Sequence, residues 1–329
     1  MSALEGPALW AANRAQLAAV ERGERARPQP RSGAPLVSIV VPSFNQGRFL
    51  AETLDSILSQ DYRPLEIVVQ DGASRDDTVS VLERYAALWP ELKWRSEPDR
   101  GVWEAVNRGL ERARGLYCGI QSSDDLYLPG AISAAVAALE QNPRAGLVYG
   151  DGYAVTALGE RMSPTFSYAE FTPTRFHCRW ALVMQSSAFF RTALAREAGG
   201  WRPDYFVADC DLWLRMVYRA PFAHVPQALS VWRHHDQQRD TQGGKIWNGY
   251  GRMIAESVEL KRAPLSHRLA ARAGWRVMAL DYYPGSRLGQ LWQLWRAVLA
   301  WPPAVRALFH RWPRLFPGSE TLKRLAGRA

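Results

Sequence analysis

Cysteine is nearly missing from this chain, which has three thiols, Cys118, Cys178 and Cys210, in 329 residues. Their number is odd and their spacing fits neither a disulfide framework nor a thiolate metal site, which points to a reducing compartment. A membrane-crossing helix needs ~20 largely uncharged apolar residues. The best candidate, residues 291–308, is interrupted by Arg296, Pro302 and Pro303. Residues 1–30 lack the continuous apolar core of a signal peptide and carry Glu and Arg instead. Two phosphate-binding signatures are also missing. No G-x-G-x-x-G follows the first expected strand and no G-x-x-x-x-G-K-[ST] occurs anywhere, which counts against dinucleotide-binding and P-loop sites.

Hydrophobic residues make up 47% of the chain, ample for a core. The length suits two domains, or one large domain with an extension. The net charge of +9 is uneven: residues 250–329 hold 14 Lys and Arg against 4 Asp and Glu, and the first 249 residues hold 27 against 28. The basic character belongs to the tail. A nucleic-acid-binding protein would show basic clusters elsewhere too, so no nucleic-acid partner is expected.

Residues 8–20 suit a helix, followed by an Arg-, Pro- and Gly-rich linker over 25–33, and neither suggests a function. The β-branched run at 36–41 predicts a buried strand that Pro42-Ser43-Phe44-Asn45-Gln46-Gly47 ends. Phe49, Leu50, Leu54, Ile57 and Leu58 then recur at helical spacing. A second strand is expected at 65–70, ending at Asp71-Gly72, then a helix at 78–88 and a strand at 92–95. Strands are also expected at 146–151 and 185–190, a helix at 130–138 and a hairpin over 153–161. This alternation implies an α/β, Rossmann-like, mostly parallel sheet with flanking helices. Asp71 can be read as a turn residue before Gly72, or as an acceptor for a nucleotide base or ribose.

The organising stretch is 96–125, SEPDRGVWEAVNRGLERARGLYCGIQSSDD. Val102, Trp103, Val106, Leu110 and Ala113 give one apolar helix face, Gly115 stops the helix, and residues 116–120 suit a buried strand. That strand ends in Asp124-Asp125. Two carboxylates at such an end are costly unless something positive meets them, and in an open α/β sheet this edge is where ligands bind. A hard divalent cation bridging to phosphate oxygens suits them. The alternative is a loop start that caps the helix after Pro129. Asp209 opens a second apolar helix with Leu212, Trp213, Met216 and Val217. It is an N-cap on one reading and a carboxylate facing a cleft on the other. Gln185 has an acceptor-facing reading and a structural one. His235, in Arg233-His234-His235, has a surface reading or a ligand reading.

Together these motifs resemble family 2 glycosyltransferases: VSIVVPSFN at 37–45, VQDGASRDDT at 69–78, then SEPDRG and SDD, in order over about residues 35–238. The resemblance implies a GT-A fold, taken to span residues 35–249. Outside it, composition makes residues 1–34 a helical lead and linker and 250–329 a basic, Trp-rich helical extension. The resemblance also implies an inverting enzyme that uses a nucleotide-sugar donor, with Mg2+ or Mn2+, in surface polysaccharide or glycan assembly. Pro42 and Asn45 would line the nucleotide pocket, Asp71 would contact the base, and Arg100 would sit near the base or diphosphate. Asp124 and Asp125 match the metal and ribose motif, with Asp125 the expected metal ligand and Ser123 standing where a further acid often does. Asp209 matches the general base, with Ala208 in place of the usual acidic first member. Arg-x-His selects Arg233 and His235, and His235 would help to hold the metal or diphosphate. A glycan or lipid-linked acceptor and a cytoplasmic location are expected. The tail lies outside the resemblance: Trp275, Trp292, Trp295, Trp301 and Trp312 with the interleaved arginines suit peripheral contact at the inner membrane on one reading, and a helical cap whose Trp face packs on the catalytic domain on the other. Two rivals stand beside the glycosyltransferase reading. One is a nucleotidyltransferase on a similar sheet. The other is a nonenzymatic membrane- or nucleic-acid-binding protein that uses the basic tail.

Overall fold

A computed structural model of the chain describes residues 6–24, 26–30, 32–164, 171–178, 183–236, 238 and 241–304. Contacts divide the chain into two compact units. The first comprises the described residues within Met1–Glu170, Val183–Pro203 and Arg215–Asp236. The second comprises those within Phe171–Leu182, Asp204–Leu214 and Gln237–Ala329.

The first unit holds a nine-stranded sheet among the described residues. Its strands are β1 Val37–Ser43, β2 Leu65–Asp71, β3 Leu92–Ser96, β4 Tyr117–Ile120, β5 Leu126–Tyr127, β6 Leu147–Thr156, β7 Arg161–Pro164, β8 Ala188–Arg191 and β9 Phe222–His234. The order is β3-β2-β1-β4-β8-β6-β9-β5, with β7 on β6. The α/β expectation is met. The first four strands pair in parallel, whereas β8 is antiparallel to β4 and to β6, and β5 is antiparallel to β9. The sheet is therefore mixed beyond β4.

The helices of this unit are α1 Gly6–Glu21, α2 Gly47–Leu58, α3 Thr78–Leu88, α4 Val102–Arg112, α5 Ala131–Gln141 and, after α6 Pro173–Cys178 of the other unit, α7 Thr192–Glu197. α2 presents Leu50, Leu54 and Ile57, fully buried, to Ile39, Val41, Ile67 and Val69 of the sheet. Each such side chain contributes ~1.5–3 kcal/mol. α4 lies against β1 so closely that a Cβ at Gly109 would meet Val40 Cγ1 at 2.4 Å. Residues 185–190, expected as one strand, divide. Gln185–Ser187 forms a 3₁₀ turn, and only β8 is extended. Ser187 Oγ donates to the Gly150 carbonyl at 2.7 Å, which ties that turn down.

β9 runs alongside β6 in parallel and skips Pro226 and Gln227 between Val225 and Ala228. Proline brings no N–H to a ladder, and an irregularity of this kind is where a sheet accepts it. Past the skip, Ser230 and Val231 pair with Tyr127 and Leu126.

The second unit contains α6 Pro173–Cys178, α9 Gly243–Glu256, α10 Val258–Arg262, α11 Leu265–Val277, α12 Ala279–Tyr282 and α13 Arg287–Ala300. α8 Ala208–Val217 begins in this unit and ends in the first. α11 packs on α6 across Gly274, where a Cβ would meet the His177 carbonyl at 2.2 Å. Trp312, Arg306, Arg311 and Arg314 lie outside the described residues.

Candidate donor and cation site

Parallel pairing brings the carboxyl ends of β3, β2, β1 and β4 to one edge, where Asp71 stands between Ser43 and Ser96. The loops after β1 and β2 are laced together. The Gly72 N–H donates to the Ser43 carbonyl at 2.9 Å, the Asn45 N–H to Ser74 Oγ at 2.7 Å, and the Arg75 N–H to Asn45 Oδ1 at 2.9 Å. Further on, the Gln46 N–H donates to Thr78 Oγ1 at 3.0 Å and the Gly47 N–H to Asp76 Oδ2 at 2.9 Å. Burial pushes the Asp76 carboxyl up, but the bonds from Thr78 and Gly47 outweigh it and hold it below the usual range. Two residues in this lacing are left-handed, Asn45 at φ 53° and Ala73 at φ 62°. Asn tolerates that region, whereas Ala does so at a cost.

Asp71 is fully buried. Its carboxylate accepts from the Ser74 N–H at 2.9 Å, from Ser74 Oγ, and from Ser96 Oγ at 2.6 Å. It therefore fixes both neighbouring loops. A carboxylate offers about four acceptor positions, which leaves room for one more bond. Pro42 is buried within β1, opposite Gln70. Ser43 Oγ, at the end of β1, has no partner among the described residues.

Two residues that sequence reasoning passed over stand on this edge. Gly72 lets Asp99 and Phe44 come close: a Cβ there would be 2.9 Å from Asp99 Oδ2 and 3.2 Å from the Phe44 ring. Asp99 accepts the Gly101 N–H at 2.8 Å, and burial raises its pKa, with Glu104 and Asp71 adding to the rise. Phe44 is 59% exposed at this edge. The turn-like Pro98-Asp99-Arg100-Gly101 hid Asp99, because an acid in a turn is ordinary. Arg100 is exposed. Its Nε meets Glu104 at 3.0 Å, its backbone N–H donates to the same carboxylate at 2.8 Å, and its cation lies over Trp103. Arg100 holds the Glu104 carboxyl down at about 2.

The strongest convergence lies beyond β4. The turn 122–125 is held from three sides. The Asp125 N–H donates to the Ser122 carbonyl at 3.1 Å, Thr53 Oγ1 of α2 donates to the Ser123 carbonyl at 2.9 Å, and Ser122 Oγ donates to Gln185 Oε1 at 3.2 Å. Gln185 Nε2 also donates to the Ile120 carbonyl. Gln185 thus braces the end of β4. The β5–β9 pairing then brings the Arg-x-His segment alongside. The Arg233 N–H donates to Asp125 Oδ1 at 3.0 Å, and His235 Nε2 lies 2.9 Å from Asp124 Oδ2. Arg233 is itself buried. Its Nη2 donates to Glu52 Oε2 at 2.6 Å, and its guanidinium is 4.3 Å from the Trp10 ring and 4.5 Å from the Phe49 ring. Phe49 also packs on the His235 ring at 4.8 Å.

The fit to a divalent cation can be judged from these donors. Among the described residues no group of three His, Cys, Asp or Glu converges as a metal-binding set. His235 and Asp125, the expected metal pair, are differently engaged: His235 faces Asp124, while Asp125 takes the Arg233 N–H. Carboxylate oxygen and imidazole nitrogen within 2.9 Å of one another suit a cation that draws its remaining ligands from phosphate and water. They do not make a closed protein cage.

Asp209 stands in the first turn of α8 and is half-buried. In that unit, burial, Cys210 and Asp209 together hold the Tyr250 phenol well above its usual pKa. Cys210 Sγ lies 3.1 Å from Tyr250 Oη.

The profile of glycosyl transferase family 2 matches residues 38–192. The uncharacterized protein MT1568 of Mycobacterium tuberculosis is 31% identical over 225 residues, which cover 61% of this chain and 67% of that protein. A PGL/p-HBAD biosynthesis glycosyltransferase of Mycobacterium bovis is 29% identical over 242 residues, covering 73% of this chain and 88% of the relative. Two other curated relatives are much longer, and the chain spans 28% and 22% of their lengths. A solved mannosyltransferase from Pyrobaculum calidifontis, in complex with GDP-Man and Mn2+, superposes with a TM-score of 0.61 at 20% identity, covering 98% of this chain and 94% of that one. The sheet and its flanking helices are those of the GT-A glycosyltransferases. The chain belongs to glycosyl transferase family 2.

Proposed function

We propose that this chain is an inverting glycosyltransferase that moves a sugar from a nucleotide-diphosphate sugar to an acceptor hydroxyl, in the assembly of a surface polysaccharide or glycolipid. One observation carries the reading: Asp124 and Asp125, at the end of a parallel strand, meet His235 and Arg233 from more than a hundred residues away. Carboxylates beside an imidazole at that edge suit a diphosphate bound with a divalent cation. Phe44 and Asp99 form a flat apolar and an acceptor edge next to Asp71, which suits a base and ribose. Pro42 and Asn45 set the loop that carries Phe44. Arg100, exposed and held by Glu104, would serve the base or diphosphate.

Asp124, Asp125 and His235 would hold a Mg2+ or Mn2+ ion, which would supply Lewis-acid neutralisation of charge on the diphosphate. Asp209 takes the proton from the acceptor hydroxyl. That oxygen attacks the anomeric carbon from the face opposite the nucleotide, the bond to the diphosphate oxygen breaks, and the configuration inverts. A positioned base of this kind contributes ~10²–10⁴-fold. Residues 35–249 are the transfer domain in this reading, and residues 250–329 serve the acceptor's setting, at a membrane face if the acceptor is lipid-linked. The nucleotidyltransferase alternative lacks support, since no basic Gly-rich loop follows β1.

A screen of nucleotide sugars for donor hydrolysis, run with Mn2+ and then with excess chelator, tests the reading. Hydrolysis of at least one donor, abolished by chelator and by Asp124→Asn, is expected. Hydrolysis that ignores both treatments refutes the cation assignment, and hydrolysis of no donor refutes the transfer reading.

A further inference from the structure

α13 is amphipathic twice over. Its inner face buries Leu294 and Ala297, and Ala297 joins a cluster with Ala273, Val277 and Ala304, packed by Trp301. Its outer face carries Leu288 at 78% exposure, Leu291 at 54%, Trp292 at 54%, Trp295 at 53% and Leu299 at 61%. At about 100° per residue these five side chains fall within an arc of about 100° opposite the buried face. The two indoles stack at 4.9 Å, so they form one continuous apolar plate. Scattered exposed apolar residues are ordinary, but five large ones aligned along three turns of one helix are not.

Arginine dominates the charge around this stripe. Arg287 and Arg296 are exposed, and by helical geometry they flank the stripe on its two sides. Between residues 265 and 300 there are five Arg and one acid, Asp281. Arg276 lies near both Arg272 and Arg296 and feels their charge. Its Nε is buried without a hydrogen-bond partner among the described residues. An anionic surface would relieve cations crowded in this way. No described helix is long and apolar enough to cross a membrane. α13, with 14 residues, is ~21 Å long and suits lying in the interface plane. Trp is a preferred residue there, and Arg on the flanks reaches the headgroups.

We infer that the Leu288–Leu291–Trp292–Trp295–Leu299 face of α13, with Arg272, Arg276 and Arg296 beside it, is a docking surface for an anionic phospholipid membrane. A second copy of the chain is the competing occupant, but an Arg-crowded surface facing itself repels across a two-fold interface, whereas phosphate headgroups neutralise it. This inference does not rest on the transfer reading: it concerns a different surface, and its readout is partition between water and lipid.

The experiment is vesicle flotation of the full chain, with phosphatidylcholine alone and with a phosphatidylcholine–phosphatidylglycerol mixture, at low and high sodium chloride. The chain is expected to float with the mixed vesicles and much less with phosphatidylcholine. The doubly substituted Trp292→Ser, Trp295→Ser chain is expected to partition at least about tenfold less. Replacing Arg272 and Arg296 with Gln should weaken binding about fivefold for each charge removed, with a shallower salt dependence. Leu288→Glu and Leu299→Glu, at the most exposed positions, provide variants whose folding is not at stake. Unchanged thermal melting and solution donor hydrolysis in these variants show that the loss belongs to the surface alone. The inference is overturned if the full chain floats with neither vesicle, or if the stripe variants float as well as the parent. It is also overturned if light scattering shows a concentration-dependent dimer that the stripe variants abolish while no vesicle binds.

Discussion

The indole of Trp10 stacks 4.3 Å from the Arg233 guanidinium, and Arg233 in turn gives its backbone N–H to Asp125 at 3.0 Å. A helix near the start of the chain thereby braces a strand end that lies more than two hundred residues later. Leu9 extends the brace by packing with Leu126, Val155 and Val231. Trp10→Ala is expected to cost ~0.5–2 kcal/mol of stability from the cation–π contact and to lower donor turnover, while Trp10→Phe keeps most of both. Thermal melts beside donor-hydrolysis kinetics check this. Turnover unchanged in a correctly folded Trp10→Ala chain would separate α1 from the site.

Asp124 and Asp125 should differ in what their loss removes. Asp124→Asn weakens Mn2+-dependent nucleotide binding, measured by titration calorimetry, because the carboxylate facing His235 carries the charge. Asp125→Asn also strips charge from the bond to the Arg233 N–H, so it should lower stability by ~1–3 kcal/mol as well as kcat by ~10²–10³-fold. Equal effects of the two substitutions on both readouts would mean that the two carboxylates share one role.

Asp209→Asn should reduce transfer to the acceptor by ~10²–10⁴-fold and leave donor binding unchanged. Calorimetric titration of donor against acceptor-dependent product formation makes the comparison. A loss of donor affinity equal to the loss of rate would move Asp209 from proton abstraction to donor binding.

Ala73 sits at φ 62° in the loop that Asp71 and Ser74 organise. A residue with a Cβ loses ~1–2 kcal/mol there relative to glycine's freedom, so Ala73→Gly should be neutral or stabilising in urea unfolding even though glycine adds unfolded-state entropy. Asn45→Ala should destabilise, because it keeps the left-handed φ and loses the bond that accepts the Arg75 N–H.

His177 is fully buried, and burial, with His267 beside it, lowers its pKa to about 3. The folded imidazole stays neutral while the unfolded one takes a proton below about 6.5. As pH falls from about 6.5 towards 3 the unfolded state binds the extra proton, so stability declines over that window and is fully present above it. His177→Leu should flatten the pH dependence of urea midpoints between neutral and mildly acidic buffer. An unchanged slope would assign the acid sensitivity to other groups.

Much of this was legible in the chain itself. The strands β1, β2 and β4 are continuous apolar runs that end in polar turns, and α2, α3 and α4 carry one apolar face each. Burial in a parallel sheet imposes both patterns. Asp124, Asp125 and His235 were also readable as a set. What was hidden depends on pairing over distance. β5 is two residues long and carries no pattern of its own; it exists because β9 offers it a ladder. Arg233 occupies a buried position of β9, where alternation expects an apolar side chain, and only Glu52, Trp10 and Phe49, each far away in sequence, make that tolerable. Gln185 was open between two roles, and its bonds to Ser122 and Ile120 show it bracing the strand end.

The family profile stops at residue 192, while the partner of Asp124 is His235. Any hybrid enzyme assembled by exchanging only residues 38–192 with a relative would draw the two halves of that pair from different parents. On the proposed reading, donor preference in such a hybrid would report a mismatched junction, and a graft meant to transplant specificity would run through β9, to residue 236.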